Sequence, residues 1–520
     1  MREHDPCSRI VLHGRPLLRQ PQLWLARHSR PSRITPQAMP AAATGWLGQA
    51  ARSREAGLQA YELRGEACHD GRNEARATMK YPRAAPRPPS QHVASSVVAE
   101  EYGNAADAAR DARRIPATMT FDALVLNARL RQSLMTVRSL GRRGLRVAAA
   151  ATLPNAPAFS SRWCQQGFVF PPEEATDAYL AALGAWLERA GARVLIPSHD
   201  GTVALLRRYR ARLERRVRLA LADERALTIA VNKERTLAVA QGLGLHVPRE
   251  VVVRGVDDVP GALKELGLPA VIKPCESWFW HGRAGSWVGP QLVVTPDEAR
   301  AAVEATTHFG RATLFQQLLT GRREAVSFLY ADGQMHARFA QWARRTRPPL
   351  GGESVLRQSI AIPPDIGRYA ESLVREINLE GYSEIEFRRD GAGVPYLMEI
   401  NPRLSASVEV AVRAGIDFPY LLYQWASGGP IEKVEAYRVG GWIRHLGGDI
   451  ETTIAALRQR GRPGVTPPVQ TILDFGLSFL RPMGYDYVDW KDPLPAVRAT
   501  SGFMRASVRR LLSRVRKSLR

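Results

Sequence analysis

Cysteine is scarce in this chain: its 520 residues include four, Cys7, Cys68, Cys164 and Cys275. They are far apart, form no CxxC pair and have no histidine nearby in zinc-ligand spacing. A disulfide or zinc framework is therefore not expected, and a reducing compartment fits. Long apolar runs are also missing. None approaches the roughly 18 residues that span a bilayer. The N-terminus lacks the apolar core of a secretory signal. No GxGxxG follows the first predicted strand, which removes the dinucleotide fingerprint. No Ser–His–Asp or Cys–His pairing is visible, and no helix-turn-helix, zinc finger or aromatic-basic sheet pattern marks a nucleic-acid binder.

Charge, by contrast, is abundant and one-sided, with a net of +23. Residues 1–118 carry 18 Lys+Arg against 11 Asp+Glu, and residues 501–520 carry seven Lys+Arg and no acid. Each end thus contributes +7, and the middle is only mildly basic, which suits anionic small substrates better than a nucleic-acid track. Residues 1–118, with proline clusters such as RAAPRPPS at 83–90, have no convincing period and read as a disordered basic extension. Two other readings stand beside this one: an Arg-rich organelle-import segment, or a natural start at Met119.

From Phe121 the pattern alternates. FDALVLNA, LRVAAAA and RVLIP have buried-strand character, with helical stretches between them, including 176–190 and a helix after Gly201. That order predicts a parallel α/β sheet. His199 and Asp200 follow a strand's C-terminal end, where such sheets bind ligands, although a helix cap is the commoner meaning of Asp-Gly-Thr. Lys233 falls early in a helix and reads as a solvated surface residue. Lys273 ends the buried-type strand LPAVIKP, where a charge needs an anionic partner. Gly282, Gly285 and Gly289 surround Ser286 in a stretch that could cradle phosphate through backbone N–H groups. Trp278, Trp280 and Trp287 in the same stretch fit packing equally well. TLFQQLLTGRREAVSFLYADGQ (313–334) predicts strand, turn, strand, and the basic, Gly/Pro-rich 344–359 predicts a loop that either covers a polyanion or is simply exposed.

The most informative stretch is YSEIEFRRDGAGVPYLMEINPR, Tyr382 to Arg403. Asp390-Gly391 and Gly393 mark a turn between two strand-like runs. Centring the hairpin between Ala392 and Gly393 sets Glu386 opposite Glu399 and Glu384 opposite Asn401, all on one face. Ile385, Phe387, Met398 and Ile400 then face the core. Opposed carboxylates destabilise a sheet unless a cation bridges them, and Mg²⁺ with substrate phosphates is a usual occupant of such a site. Arg403 could clamp a phosphate or carboxylate. The plainer alternative is a surface hairpin with solvated glutamates.

Over roughly residues 119–430 the order of these features resembles the ATP-grasp superfamily, and within it the predicted carboxylate–amine ligases. The resemblance implies an α/β (α+β) class: an ATP-grasp fold at 226–430 preceded by a small Rossmann-like α/β domain at 119–225; beyond it, 431–520, with apolar stretches such as TILDFGLSFL, reads as a C-terminal appendage. It implies ATP and Mg²⁺, or alternatively Mn²⁺, as cofactors, with Glu386, Glu399 and Asn401 as metal ligands and Arg403 as the catalytic cation. Lys233, Lys273 and Ser286 would meet the ATP phosphates. Gln316, Gln317 and Leu318 would form the adenine hinge, with glutamine where a glutamate is usual, and Glu324 would hold the ribose. The implied reaction joins a small-molecule carboxylate to an amine through an acyl phosphate. A bicarbonate-activating carboxylase type, a non-catalytic nucleotide binder and a nucleic-acid-binding protein are the alternatives. A cytoplasmic location is expected. Val508, Leu511, Leu512, Val515 and Leu519 recur at helical spacing among arginines, so 501–520 predicts a basic amphipathic helix. Such a helix either contacts an anionic membrane peripherally or docks on the protein's own surface.

Overall fold

The computed structural model describes residues 120–282, 284–307 and 310–518, without the side chains of 511 and 514–518. The expectations for residues 1–118 and for Met119 lie outside the described residues. The first sheet contains β1 (Phe121–Val125), β2 (Val147–Ala151), β3 (Gln166–Val169), β4 (Ala192–Ile196) and β5 (Arg218–Leu219), all parallel, in the order β3-β2-β1-β4-β5. The strands read as continuous apolar runs because both faces are covered. Leu124, Ala148 and Leu195 join one apolar cluster with Leu183 and Trp186 of the helix Thr176–Arg189. Val125, Ala149 and Ile196 join a second with Leu134 and Val137 of the helix Arg131–Arg142.

A four-stranded antiparallel sheet follows, built from β6 (Glu250–Val253), β7 (Ala270–Pro274), β10 (Gln291–Val293) and β11 (Thr313–Gln317) in the order β10-β7-β11-β6. The helices Val259–Leu266 and Pro296–Thr307 bury Ala262 and Val303 against Ile272 and Phe315. Between β7 and β10 lies a hairpin of β8 (Trp278–His281) and β9 (Ala284–Trp287).

The largest sheet contains β12 (Arg323–Ala331), β13 (Gln334–Arg347), β14 (Glu353–Ile360), β15 (Gly381–Arg389), β16 (Pro395–Asn401), β17 (Trp442–Arg444) and β18 (Gly484–Tyr485), ordered β16-β15-β12-β13-β14-β17-β18. On one face Val326, Phe328, Ile385 and Phe387 cluster with Ile366, Ala370 and Leu373 of the helix Pro364–Glu376.

Two expectations change here. Residues 344–359 are not a loop, since β13 runs to Arg347 and β14 begins at Glu353. The segment's positive charge is compatible with a sheet because its arginines meet acids: Arg345 pairs with Asp449 at 2.6 Å and Arg347 with Glu451 at 2.5 Å. Residues after 430 do not form an appendage, because β17 pairs with β14 and extends the central sheet. Asp486, next to β18, accepts from Arg131 at 2.7 Å and from Arg357 at 2.5 Å, with both arginines buried.

Candidate active site on the polar face of the large sheet

The two strands of the 382–403 hairpin pair as their spacing predicts, Glu386 against Glu399 and Glu384 against Asn401. Just beyond Glu386 the register shifts. The shift sets Phe387 opposite Leu397 and leaves Met398 as the extra residue of a bulge. Leu397, fully buried, therefore takes the core position expected for Met398, which is only half-buried.

Burial pushes the Glu386 carboxyl up to about 7; Arg323 opposes this, while the charges of Glu399 and Glu384 reinforce it. Burial would raise Glu399 too, but Lys233, Lys273 and Arg323 together hold it below the usual carboxylate range. The Asn401 amide donates to Glu386 Oε1 at 3.2 Å. Among the described residues no group of three or more Asp, Glu, His or Cys is placed to hold a metal ion. The third ligand would have to be the Asn401 oxygen, and two carboxylates with an amide oxygen make an all-oxygen set that fits a hard cation such as Mg²⁺. The mutual repulsion of the two glutamates is the local cost that such a cation relieves.

Lys233 is not the surface residue that its position suggested. It begins the helix Lys233–Gly242, capped by Asn232, whose side chain accepts from Arg235 N. Its backbone N–H donates to Cys275 O at 2.8 Å, drawing the helix start under the β7–β8 connection. The residue is 9% exposed, and its Nζ lies 3.5 Å from Glu399 Oε2 and 3.2 Å from Ser277 Oγ. Lys273 ends β7 and is 6% exposed. Among the described residues no carboxylate lies within ion-pair distance of its Nζ. Burial, and then the like charge of Lys233, lower it to about 8. A buried ammonium without a direct counter-ion is what an incoming anion would complete.

Arg403, past the end of β16, ion-pairs with Asp200 and reaches Asn401 Oδ1 with Nη2 at 3.4 Å. Burial would raise Asp200, but Arg403, His199 and Lys233 hold it well below the carboxylate range. The cap of the helix Asp200–Arg208 is His199, whose Nδ1 accepts from Gly201 N at 3.2 Å. That leaves Asp200 free to orient Arg403 across the cleft. Ser286 lies in β9, its Oγ 3.1 Å from His281 Nε2. Gly285 and Gly201 both lie against an indole. A Cβ on either would lie 2.2 Å or 2.6 Å from the indole of Trp278, which is wedged between the β8–β9 hairpin and the helix Asp200–Arg208.

Gln316 is buried and donates to Glu250 Oε2 at 2.7 Å; Gln317 Oε1 accepts from Arg249 N at 3.4 Å, and Leu318 is half-buried. Glu324 stands apart. It pairs with Phe387 across β12–β15, whereas Ala325 pairs with Glu386, so Glu324 faces away from Glu386 and Glu399. Its carboxylate is held there by Arg389 at 2.7 Å and Arg322 at 2.9 Å. The ribose role expected of it does not fit that face. Two residues not singled out in the sequence belong to the site: Arg323, which ion-pairs with Glu386, and Glu250, whose charge reaches Lys273. Alternation along RREAVS would have separated Arg323 from Glu324, but which of the two shares a face with Glu386 depends on a pairing 63 residues away.

Residues 311–445 match the family model described as ATP-grasp in the biosynthetic pathway with Ter operon. This chain contains an ATP-grasp domain. The matched stretch runs from the hinge strand through both glutamates to β17. A D-alanine–D-alanine ligase of Pseudomonas entomophila (strain L48) is 28% identical over 215 residues, covering 38% of this chain and 64% of that protein. A second, from Stutzerimonas stutzeri (strain A1501), is 25% identical with the same coverage. The chain thus spans less than two thirds of the length of these curated relatives. The crystal structure of a biotin carboxylase–β-γ-ATP complex from Campylobacter jejuni superposes with a TM-score of 0.50 at 18% identity, over 62% of this chain and 74% of that one. The likeness shows the ATP-grasp fold, here with a parallel α/β sheet ahead of it.

Proposed function

We propose that this protein is an ATP-dependent ligase that joins a carboxylate to an amine through an acyl phosphate. The observation that carries the reading is the gathering of Lys233, Lys273, Arg323 and Arg403 around the opposed pair Glu386 and Glu399. Phosphoryl transfer needs positioning and charge neutralisation rather than a protein nucleophile. In this reading a substrate carboxylate oxygen attacks the γ-phosphorus of ATP, and the bond to the departing ADP oxygen breaks. The amine nitrogen then attacks the acyl carbon, phosphate leaves, and the amine gives up one proton. Lys273 and Lys233 bind the phosphate oxygens, and Arg403, oriented by Asp200, balances the charge at the transferred group. Glu386, Glu399 and Asn401 would hold Mg²⁺, which when bound neutralises phosphate charge. Support for a ligase also comes from the D-alanine–D-alanine ligases among the relatives. A cytoplasmic location belongs to the same reading; among the described residues no helix is long and apolar enough to cross a membrane.

The test is ADP and phosphate release by the full chain with Mg²⁺ and ATP, screened against pools of amino acids and other small carboxylates with and without amines. Mass spectrometry would identify the amide. Turnover that requires both co-substrates supports the ligase. Turnover driven by bicarbonate alone would replace it with carboxyphosphate formation, and no turnover with any pool would overturn catalysis.

A further inference from the structure

Beyond the catalytic cleft, two helices of the C-terminal quarter carry exposed apolar side chains. The helix Pro468–Leu477 leaves Val469, Ile472, Leu473 and Leu477 exposed at helical spacing, and Leu480 just after it is 80% exposed. The helix Leu494–Ser518 exposes Leu494, Val497, Met504, Val508 and Leu512. At about 100° per residue these five fall within an arc of roughly 80°. Phe503, on the opposite side, packs against Gly447, and Arg510 ion-pairs with Glu451 at 2.6 Å. The helix therefore docks by its polar-aromatic side on the helix Leu446–Arg458 and turns its apolar stripe to solvent. Ile454, on that supporting helix, is exposed as well.

We infer that this face binds the surface of an anionic membrane. Charge selects the occupant: residues 501–520 carry seven Lys+Arg and no acid, with Arg505 and Arg509 next to the stripe. A second copy seated on the same stripe would bring two such acid-free cationic segments together, which repel. Anionic headgroups complement them, and the exposed Val, Leu and Met side chains reach the acyl boundary. The helix lies in the interface rather than across it, since no described helix can span. Of the predicted stripe, Leu511, Val515 and Leu519 lie outside the described side chains; Val508 and Leu512 are more than half exposed, which speaks against docking on the protein's own surface.

The test is flotation of the full chain with vesicles of phosphatidylcholine alone and of phosphatidylcholine with phosphatidylglycerol. It is repeated for Val508→Glu and Leu512→Glu, single exposed changes that disturb no core contact. Binding to the mixed vesicles alone, weakened by salt and reduced at least about tenfold by either variant, is expected. Equal flotation of wild type and variants would overturn the proposal. So would flotation with neither vesicle, whether the chain then proves a dimer that the variants split, by light scattering, or a monomer.

Discussion

Arg323 holds Glu386 from the neighbouring strand, donating from Nε to Oε2 at 2.9 Å. The guanidinium thus supplies part of the neutralisation that a divalent cation would supply to the same carboxylate. The two are competitors for one anionic position. Arg323→Met is expected to lower stability without added metal by about 3 kcal/mol, because a buried carboxylate loses its partner. Mg²⁺ should then restore the variant's melting temperature more than it raises that of the wild type. Thermal melts with and without Mg²⁺ measure this, and equal metal-induced shifts would refute it.

Glu399→Gln and Glu386→Gln each remove one carboxylate from the proposed metal set. Mg²⁺-dependent ATP turnover should fall at least about 100-fold in both, the scale of losing one transition-state charge stabiliser. Their stabilities should differ, because Glu386 is buried on Arg323 whereas the Glu399 side chain is 32% exposed. Steady-state turnover read beside circular dichroism separates the two effects, and near-normal turnover by either variant would sink the site.

Lys273 carries its charge below a pKa of about 8 and loses it above. Affinity of the wild type for ATP is therefore expected to fall as pH rises from 7 to 9, while Lys273→Met, weaker throughout, stays flat. Lys233→Met should also cost affinity, since Lys233 is buried beside Glu399 rather than solvated. Isothermal titration at the two pH values decides the matter; a wild-type affinity independent of pH would remove Lys273 from phosphate binding.

Glu324 faces away from the cleft between two arginines. Glu324→Gln should destabilise the fold by about 3 kcal/mol and leave the KM for ATP within about twofold. Urea unfolding together with ATP kinetics tests this, and a large rise in KM with unchanged stability would return Glu324 to the ribose.

His445 is held neutral: burial first, and then the charge of Arg131, lower it to about 3. The unfolded chain binds the proton first, near the ordinary value of about 6.5. This contribution to stability is complete above that value and is lost as pH falls toward 3. Between pH 7.5 and 5 the loss is about 2 kcal/mol. His445→Gln should flatten the stability profile over that range, as denaturant titrations would show.

The pairing of the 382–403 hairpin was readable because its information is local. Thirteen residues separate Glu386 from Glu399, and one turn sets their register. The alternating strands of residues 121–196 were readable for the same reason. What depended on distant partners was not. Lys233 looked solvated because nothing near it in sequence reveals Ser277 or Glu399. Glu324 and Arg323 are adjacent, and only the β12–β15 pairing decides which of them faces the cleft. Segment 344–359 looked like a loop because the acids that neutralise Arg345 and Arg347 lie 104 residues further on.

The buried arginines of the first helix have a consequence for synthesis. Arg131 and Arg138 find their carboxylates at Asp486 and Asp492, sequence separations of 355 and 354 residues. At a translation rate of about 5–20 residues per second, Arg131 meets Glu353 first, while its second carboxylate and the partner of Arg138 arrive roughly 20–70 s after the helix. The amino-terminal sheet can collapse in that time, but the helix cannot take its final seat while the buried Arg138 still lacks Asp492. A ribosome that stalls before residue 486 therefore holds a domain whose first helix is still unsettled.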